Sequence, residues 1–206
     1  RKRYGIVPLK GKLLNVRNQS PKTIAENTEI QALIKIIGLE YGKEYKTVNG
    51  LRYGSIMILT DQDADGIHIK GLVINFIHYF WPSLLKDNKF ICSLATPLIK
   101  ATSKAKGKGK KAESFFSMEE FDQWKVDQNM NLWSVKYYKG LGTSDRSEAN
   151  ECFKNVDDKL INYPWSAKGE CLAESEYYNQ RHKDTCLDAI TLAFDKSRAD
   201  DRKGWL

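Results

Sequence analysis

The sequence predicts an α/β protein with a parallel sheet flanked by helices, followed by an α+β extension. Two observations favour this class. The short continuous apolar run Ile56–Leu59 is typical of a strand that is buried on both faces. An acidic turn follows it, and then Ile67–Tyr79, where apolar side chains occur almost all round and indicate a largely buried helix. A strand, an acidic turn and a helix therefore form the predicted central unit.

The region before this unit is predicted to be an extended segment followed by a helix. Glycine and proline interrupt Tyr4–Lys12, as is common in extended segments and loops. A periodic run from Lys22 to Ile37 predicts one helix, with Ser20 as its cap and Pro21 at its first position. Gly38 is expected to mark the end of that helix.

The second half of the chain alternates between strand and helix patterns. The expected strands are Phe90–Lys100, a further one at Phe115-Phe116, and Leu132–Tyr138. The expected helices run from Ser117 to Trp124, from Asp145 to about Leu160, and from Leu187 to Trp205.

The composition excludes several classes of protein. With 206 residues, 41% of them hydrophobic and 29% charged, the chain can bury a core and is not disordered throughout. A formal charge of +7 favours a polyanionic partner such as nucleic acid. No apolar run approaches the roughly 20 residues of a membrane span, so we expect no membrane partner.

The spacing of the cysteines and the first residue of the chain support two further expectations. The four cysteines stand far apart without a CxxC pair, which favours reduced thiols over a zinc site or a disulfide framework. The chain begins with Arg1 rather than Met, so we expect it to be an excised piece of a longer protein.

Three carboxylates occur at alternate positions directly after the predicted central strand. Asp61, Asp63 and Asp65 repel one another, so a cation is needed to keep them ionised and close together. Mg²⁺ prefers oxygen ligands and usually takes one or two protein carboxylates together with phosphate oxygens. The carboxyl end of a strand is also where open α/β sheets commonly bind ligands. The pattern therefore predicts an Mg²⁺ site with Asp61 and Asp63 as ligands.

Two other interpretations of the turn compete with this one, and the second fails in the latter half of its motif. In the first, the turn is a solvated structural element in which Asp65 caps the next helix and Gly66 allows the bend. In the second, the spacing matches the first half of an EF-hand calcium loop. That loop requires a glutamate at its twelfth position, where this chain has Leu72.

A longer pattern around the turn is more specific. Leu59–Leu72 reads LTDQDADGIHIKGL and closely resembles the metal-binding element of the Toprim domain in eukaryotic-type type IIA DNA topoisomerases. The resemblance extends to Pro8–Arg17 (PLKGKLLNVR), Lys136–Ser144 (KYYKGLGTS) and Asp200–Lys203 (DDRK), and covers nearly the whole chain. It implies a Rossmann-like Toprim core at residues 1–99 and a C-terminal extension at residues 100–206. Loops near residues 101–112 and 166–184 depart from the family pattern and are interpreted as insertions.

The resemblance implies a role for each carboxylate of the turn. Enzymes of this family cut both DNA strands through a tyrosine ester, pass another duplex through the gap and reseal it. Asp61 and Asp63 would hold Mg²⁺ in a two-metal site at the scissile phosphate, with Asp61 shared between the metal positions and Asp65 supporting them.

The resemblance also implies contacts with DNA. Lys12 and Asn15 correspond to positions where the family contacts DNA near the cleavage point, and Lys139 and Gly140 lie in a second such element. Lysine supplies charge, an amide supplies hydrogen bonds, and glycine lets the backbone approach a phosphate closely. Without this context, both lysines would be interpreted as ordinary exposed residues. His68 is expected to brace a carboxylate, to touch DNA, or only to begin the helix.

Two departures from the family limit what the chain is expected to do alone. The family's metal site uses a glutamate from a Glu-Gly-Asp-Ser motif on an earlier strand, and this sequence has no such motif. The nucleophilic tyrosine belongs to a later winged-helix domain, and neither Arg3-Tyr4 nor Arg52-Tyr53 has that context. We therefore expect the isolated fragment to be inactive, with no catalytic nucleophile of its own.

The resemblance finally implies the setting of the parent protein. That protein would act on double-stranded DNA as a homodimer, hydrolyse ATP in a separate domain, and work in the nucleus or in an organelle. Two alternatives remain: a Toprim nuclease or primase, and a non-catalytic basic DNA-binding module whose acidic turn is only structural.

Overall fold

The computed structural model describes residues 4–105, 111–138, 150, 153–154, 156–163, 165 and 186–205. Its helices are α1 (Pro21–Glu26), α2 (Thr28–Ile37), α3 (Ala64–Phe80), α4 (Pro82–Leu85), α5 (Met118–Val126), α6 (Cys186–Phe194) and α7 (Ala199–Trp205). Its strands are β1 (Ile56–Ile58), β2 (Ile91–Leu94), β3 (Ile99–Ser103), β4 (Ala112–Phe115), β5 (Trp133–Tyr137) and β6 (Leu160–Asn162). Short 3₁₀ helices occur at Met130–Leu132, Val156–Lys159 and Lys196–Arg198.

The strands form two three-stranded sheets, with orders β1-β2-β6 and β4-β3-β5. Strand β3 pairs antiparallel with both β4 and β5. The mixed α/β class predicted from the sequence is confirmed, while the parallel direction of the first sheet stays a prediction.

The chain divides into two compact units. The first consists of Arg1–Ile56, His68–Cys92 and Asn162–Leu206, and the second of Met57–Ile67 and Ser93–Ile161. These units are defined by contacts in space and not by sequence order. The predicted domain boundary after residue 99 therefore stays a prediction.

Helix α3 supplies much of the core of the first unit. The predicted buried helix at Ile67–Tyr79 is confirmed and is slightly longer, since it ends at Phe80 before Pro82. Trp81 follows it with 1% of its surface exposed, and its indole Nε1 donates to the Glu40 carbonyl at 2.9 Å. The buried apolar side chains of α3 are Leu72, Val73, Phe76 and Ile77.

The single helix predicted for residues 22–37 is wrong, because Asn27 divides it into α1 and α2. Asn27 is extended, with ψ 113°, and its side-chain oxygen accepts from Ile30 N at 2.9 Å. Asparagine is among the best N-cap residues, so it begins a new helix instead of continuing the first. The predicted Ser20 cap is confirmed, and Gly38 ends α2 with φ 85°.

Two strand predictions are corrected. Within β1 only Ile58 is buried, and Leu59 beyond the strand is 37% exposed, so burial of this run on both faces is wrong. The single strand predicted at Phe90–Lys100 is two strands, β2 and β3, which belong to different sheets. Pro97 lies in the intervening bend, and a proline within such a run is a signal against one continuous strand that the prediction overlooked.

The second unit contains a two-layer core. Ile99 of β3 lies opposite Phe115 of β4 and Tyr137 of β5. Phe121 of α5 is 2% exposed and joins Ile99 and Phe115 in one buried cluster. The predicted helix at Ser117 is confirmed, since the Ser117 hydroxyl accepts from Glu120 N at 3.1 Å.

Two predictions for the last third of the chain are also corrected. The helix expected to reach about Leu160 does not, because residues 156–159 form a 3₁₀ helix and Leu160 begins β6. The single helix expected at Leu187–Trp205 is broken at Asp195, whose carboxylate accepts from Ser197 N at 2.9 Å and starts a new turn. Arg202 donates to the carbonyls of Leu192 and Asp195, both at 2.7 Å, which satisfies the end of α6.

The membrane and cysteine expectations are checked in the described residues only. No helix among them is long and apolar enough to cross a bilayer. Cys92 is a free, buried thiol, and burial raises its pKa. The side chains of the other cysteines lie outside the described residues.

A buried polar group links α3 to the segment before α1. Arg17 is 8% exposed and His78 is 4% exposed, and Arg17 Nη2 lies 2.8 Å from His78 Nδ1. Because arginine can only donate, His78 Nδ1 accepts and the neutral ring carries its proton on Nε2. Burial first, and the Arg17 charge second, lower the pKa of His78 from 6.5 to about 4.

We expect the stability of the fold to fall as the pH falls from 6.5 to about 4. The unfolded chain binds a proton at this histidine in that window and the folded chain does not, so protonation favours unfolding by up to about 3 kcal/mol in total. Urea unfolding at a series of pH values measures the loss. His78→Gln, which keeps an acceptor for Arg17 but does not titrate, is the control. An equal loss in both proteins would assign the pH dependence to other groups.

Candidate metal centre and DNA-contact residues

The acidic turn connects β1 to the first residue of α3. Asp63 lies directly before the helix, and its Oδ1 accepts from Gly66 N at 2.8 Å. Asp63 is therefore the N-cap of α3. The structural interpretation had assigned that role to Asp65, which instead is exposed in the first turn, where a carboxylate interacts favourably with the helix dipole.

Gly66 is required by a close backbone approach. A Cβ built on Gly66 would overlap the carbonyl oxygen of Asp61 and lie 2.9 Å from its carbonyl carbon. The first turn of α3 therefore packs directly on the backbone that carries the Asp61 side chain. This contact fixes the Asp61 backbone relative to the first turn of α3.

Two neighbouring side chains hold the turn within the second unit. The Thr60 hydroxyl donates to the Gly66 carbonyl at 3.2 Å. Gln62 Nε2 lies 3.4 Å from the Leu94 carbonyl and 3.5 Å from the Thr96 hydroxyl, directly after β2. Sequence reasoning assigned neither Thr60 nor Gln62 to the site, although both stand inside the matched motif.

The carboxylates of the turn suit Mg²⁺ by chemistry and exposure. Asp63 and Asp65 are exposed, and Asp61 is half-buried. The hydrogen bond from Gly66 uses Asp63 Oδ1, so Oδ2 remains as an oxygen donor. No group of three or more His, Cys, Asp or Glu side chains in the described part of the chain is arranged to hold a metal. The exposed carboxylate oxygens of the turn are of the ligand type that Mg²⁺ takes alongside water or phosphate.

The two predicted DNA-contact residues of the N-terminal segment, Lys12 and Asn15, differ in their exposure and in their hydrogen bonds. Lys12 is exposed, and the next residue, Leu13, is 4% exposed and packs into the core. Asn15 is half-buried, and its Nδ2 donates to the Phe194 carbonyl at 2.8 Å. Its Oδ1 accepts from Arg17 N at 3.1 Å and from Asn75 Nδ2 at 3.0 Å. The amide of Asn15 is thus engaged inside the protein, and its contact with DNA stays a prediction.

Of the second predicted DNA-contact element, the structure describes only the residues up to Tyr138. Lys139 and Gly140 lie outside the described residues. Before them, Tyr138 N donates to the Leu98 carbonyl at 2.9 Å, and Lys136 Nζ lies 5.0 Å from the centre of the Tyr138 ring. The approach to the predicted element is therefore held to the start of β3.

His68 packs on the C-terminal end of α6. Its ring is exposed and lies nearly parallel to Phe194, with ring centres 6.2 Å apart. One turn later, a Cβ at Gly71 would lie 2.7 Å from Phe194 Cζ, so this glycine makes room for the aromatic ring. The described contact of His68 is aromatic packing, and its predicted roles toward carboxylate or DNA stay untested.

Sequence reasoning also missed Arg17 and Asn75. Asn75 is fully buried, and its Oδ1 accepts from Arg17 Nε at 2.7 Å. An asparagine within the apolar run of α3 was a visible signal of a buried polar contact. Its partner, 58 residues earlier, could not be identified from one sequence.

We expect Gly66→Ala to destabilise the chain by about 1 to 3 kcal/mol, because the new methyl group overlaps backbone rather than a mobile side chain. Gly204→Ala is the matched control, since a Cβ there meets nothing within 4 Å. Gly204 is the next-to-last residue of α7, where the gain is smaller than the roughly 0.5 to 1 kcal/mol typical of a helix interior, so Gly204→Ala should be nearly neutral while Gly66→Ala is destabilising. Chemical unfolding measures both, and a neutral Gly66→Ala would contradict the close packing.

Comparisons with known proteins show which family the chain belongs to. Residues 1–96 match the model of the Toprim domain, and residues 94–206 match that of the C-terminal associated domain of TOPRIM. The chain is 51% identical to DNA topoisomerase 2 of Acanthamoeba polyphaga mimivirus over 98% of its length. It is 48% identical to human DNA topoisomerase 2-beta over 100% of its length.

A solved structure is similar as well. The DNA-binding, cleavage and re-ligation domain of Plasmodium falciparum topoisomerase II superposes with a TM-score of 0.79 and 44% identity, over 96% of this chain and 24% of that one. The chain spans 19% of the mimivirus relative and 12% of the human relative. It therefore belongs to the Toprim family, in the form with a C-terminal associated domain that it shares with relatives named DNA topoisomerase 2.

Proposed function

We propose that this chain is the metal-binding part of the DNA cleavage and religation core of an ATP-dependent type IIA topoisomerase. The observation that carries the proposal is the acidic turn, in which Gly66 packs on the Asp61 backbone and Asp63 caps α3. Family membership supports it, because the similar proteins are named DNA topoisomerase 2. The parent would be a homodimer that acts on double-stranded DNA in the nucleus or an organelle, with ATP hydrolysed by another of its domains.

In this proposal the residues of the turn bind and orient. Asp61 and the outer oxygen of Asp63 would hold Mg²⁺, with Asp65 adding negative charge close by. Bound Mg²⁺ supplies charge stabilisation at a phosphodiester and at its leaving oxygen. Gly66, Thr60 and Gln62 keep the carboxylates fixed, which removes part of the cost of ordering them on binding. A glutamate outside this chain would complete the two-metal site.

The chain itself would position DNA rather than cut it. The proposed DNA contacts are Lys12, Asn15, Lys139 and Gly140, and the nucleophilic tyrosine would lie in another domain. The basic charge of +7 supports a phosphate partner. Cleavage would therefore require the parent protein, and the isolated chain would bind metal and DNA without turnover.

We expect Asp63→Asn and Asp63→Ala to separate metal binding from folding. Asparagine caps a helix about as well as aspartate, whereas alanine loses the cap at a cost of about 1 kcal/mol. Both variants should bind Mn²⁺ more weakly, because each lacks the carboxylate, but only Asp63→Ala should be less stable. Paramagnetic broadening of amide resonances during Mn²⁺ titration, with DNA present, measures the first effect, and urea unfolding measures the second. Resonances around Asp61 and Asp63 that ignore the metal in the unchanged protein would refute the metal site and favour a non-catalytic basic module.

We expect Lys12→Ala to weaken DNA binding and to reduce the slope of log affinity against log salt concentration by about one unit, because one phosphate contact is lost. Lys139→Ala should do the same. Fluorescence anisotropy with a labelled duplex at several salt concentrations measures both. Lys22→Ala is the control, since Lys22 is an exposed lysine paired with Glu26 at 3.8 Å and has no proposed role. An unchanged slope for Lys12→Ala would show that this lysine is an ordinary solvated residue without a DNA contact.

A further inference from the structure

The sheet β4-β3-β5 of the second unit has one face in the core and one face turned away from it. Ile99 and Ala101 of β3 are buried in one cluster with Phe115 of β4. Val135 of β5 packs against the same cluster. Because side chains alternate along a strand, the residues between these point to the other side of the sheet. That side, which we call the outer face, consists of Lys100, Thr102, Ala112, Ser114, Ser134 and Lys136.

Two lysines stand directly opposite each other on the outer face. Lys100 of β3 pairs with Lys136 of β5, and on its other side Lys100 pairs with Ser114 of β4. Neighbouring strands lie about 4.8 Å apart, so the two lysines start from adjacent positions on one surface. Opposite charges at such positions stabilise the pairing of strands, whereas like charges do not. Cross-strand pairing therefore does not explain why lysine occupies both positions.

Protection of a sheet edge does not explain Lys100 either. Lysine is common on exposed edge strands, where its charge prevents pairing with another chain. Lys100 lies instead on β3, the central strand, which is hydrogen bonded to β4 on one side and to β5 on the other. A positive charge in the middle of the sheet thus has no role in blocking an edge.

An aromatic ring lies beside the second lysine. Tyr138 follows β5 and continues its pairing with the segment of β3, because its N donates to the Leu98 carbonyl at 2.9 Å. Its side chain points to the same side as that of Lys136, two residues earlier. Lys136 Nζ lies 5.0 Å from the centre of the Tyr138 ring. This cation–π contact restricts the ammonium group and leaves it charged, so the charge stays at the outer face.

The uncharged side chains of the outer face suit a phosphate partner. Ser114 and Ser134 are exposed and Thr102 is half-buried. Serine and threonine hydroxyls are common donors to the phosphate oxygens of nucleic acids. None of the outward positions of the three described strands carries a carboxylate. Glu113, the acidic residue of β4, lies opposite Ala101 and therefore points to the core side of the sheet.

The helix on the core side of the sheet has the opposite charge. α5 packs against this core through Phe121. It carries three acidic residues, Glu119, Glu120 and Asp122, against one lysine, Lys125. The potential of the unit therefore favours anions at the outer face and disfavours them along α5. A polyanion thus approaches most favourably from the side of the outer face.

We propose that the outer face of the sheet β4-β3-β5 binds the phosphate backbone of double-stranded DNA. Lys100 and Lys136 supply the charge, and the hydroxyl groups beside them supply hydrogen bonds. This inference deepens the proposed function and rests on its DNA partner. It extends the predicted DNA element at Lys139 back along β5 and onto β3, a strand that none of the DNA contacts predicted from the sequence included.

Substitutions that remove or keep the charge test the inference. Fluorescence anisotropy with a labelled duplex at several salt concentrations, without divalent metal, measures DNA affinity for the full 206-residue chain. We expect Lys100→Gln and Lys136→Gln each to reduce the slope of log affinity against log salt concentration by about one unit, and the double variant by about two. Lys100→Arg and Lys136→Arg keep the charge and should keep the slope.

Lys125→Gln is the matched control. Lys125 belongs to the same unit but lies on α5, where its Nζ is 3.8 Å from Asp122 Oδ1. Removing this charge should leave the salt slope unchanged. Circular dichroism of each variant under the conditions of the DNA measurement shows that the chain remains folded.

A measurement on the unchanged protein needs no variant. Reductive methylation of lysines with and without bound duplex, followed by mass spectrometry, reports which ammonium groups the DNA covers. Lys100 and Lys136 should lose reactivity when the duplex is bound, and Lys125 should not.

The outcomes separate this inference from the proposed function. An equal fall of the slope for Lys125→Gln would assign the effect to net charge and overturn the proposed surface. Unchanged slopes for Lys100→Gln and Lys136→Gln, with both lysines still reactive under bound DNA, would overturn it as well. If Lys12→Ala changes the slope in that case, the DNA partner stands and only the outer face is refuted. If the chain binds no duplex, the proposed DNA partner fails and this inference fails with it.

Discussion

The amide of Asn75 is completely buried, and a buried amide must find hydrogen-bond partners. Helix α3 is otherwise apolar on the faces that enter the core, so these partners have to come from other segments. Arg17 and Asn15 provide them, and Asn15 in turn satisfies the last carbonyl of α6. One polar side chain therefore determines which distant parts of the first unit must meet. Apolar burial stabilises the unit, but apolar contacts alone would not specify this pairing.

The need of polar groups for hydrogen-bond partners also determines the structure at the beginning of α3. The first amides of a helix have no partner within the helix, and Asp63 satisfies that of Gly66. The turn can be this tight because Gly66 has no side chain to collide with the Asp61 carbonyl. Formation of the first turn of α3 thus places the Asp61 backbone and the Asp63 carboxylate at defined positions. The start of the helix therefore determines the conformation of the turn.

The sequence predicted the central unit well because its signals are local. The apolar run, the acidic turn and the long buried helix are each contained in fewer than 20 consecutive residues, and hydrophobic periodicity is reliable over such lengths. Predictions were wrong where a single polar residue stopped an otherwise regular pattern. Asn27 and Asp195 each start a new helix by binding a nearby amide, and periodicity does not register such a change. The burial of β1 was also overpredicted, because the burial of a strand depends on the elements that pack against it. A run of apolar residues in the sequence does not identify those elements.

Under the proposed function, Asp63 has two roles that make different demands on its side chain. The helix needs only a short acceptor at this position, and asparagine, serine or threonine would serve it. A divalent cation needs a charged oxygen, which only the carboxylate supplies. The two demands overlap in aspartate alone: glutamate brings the charge on a longer stem, and the other cap residues bring the reach without the charge. An aspartate at this position therefore satisfies the helix cap and, under the proposed function, would also supply the charge that a divalent cation requires.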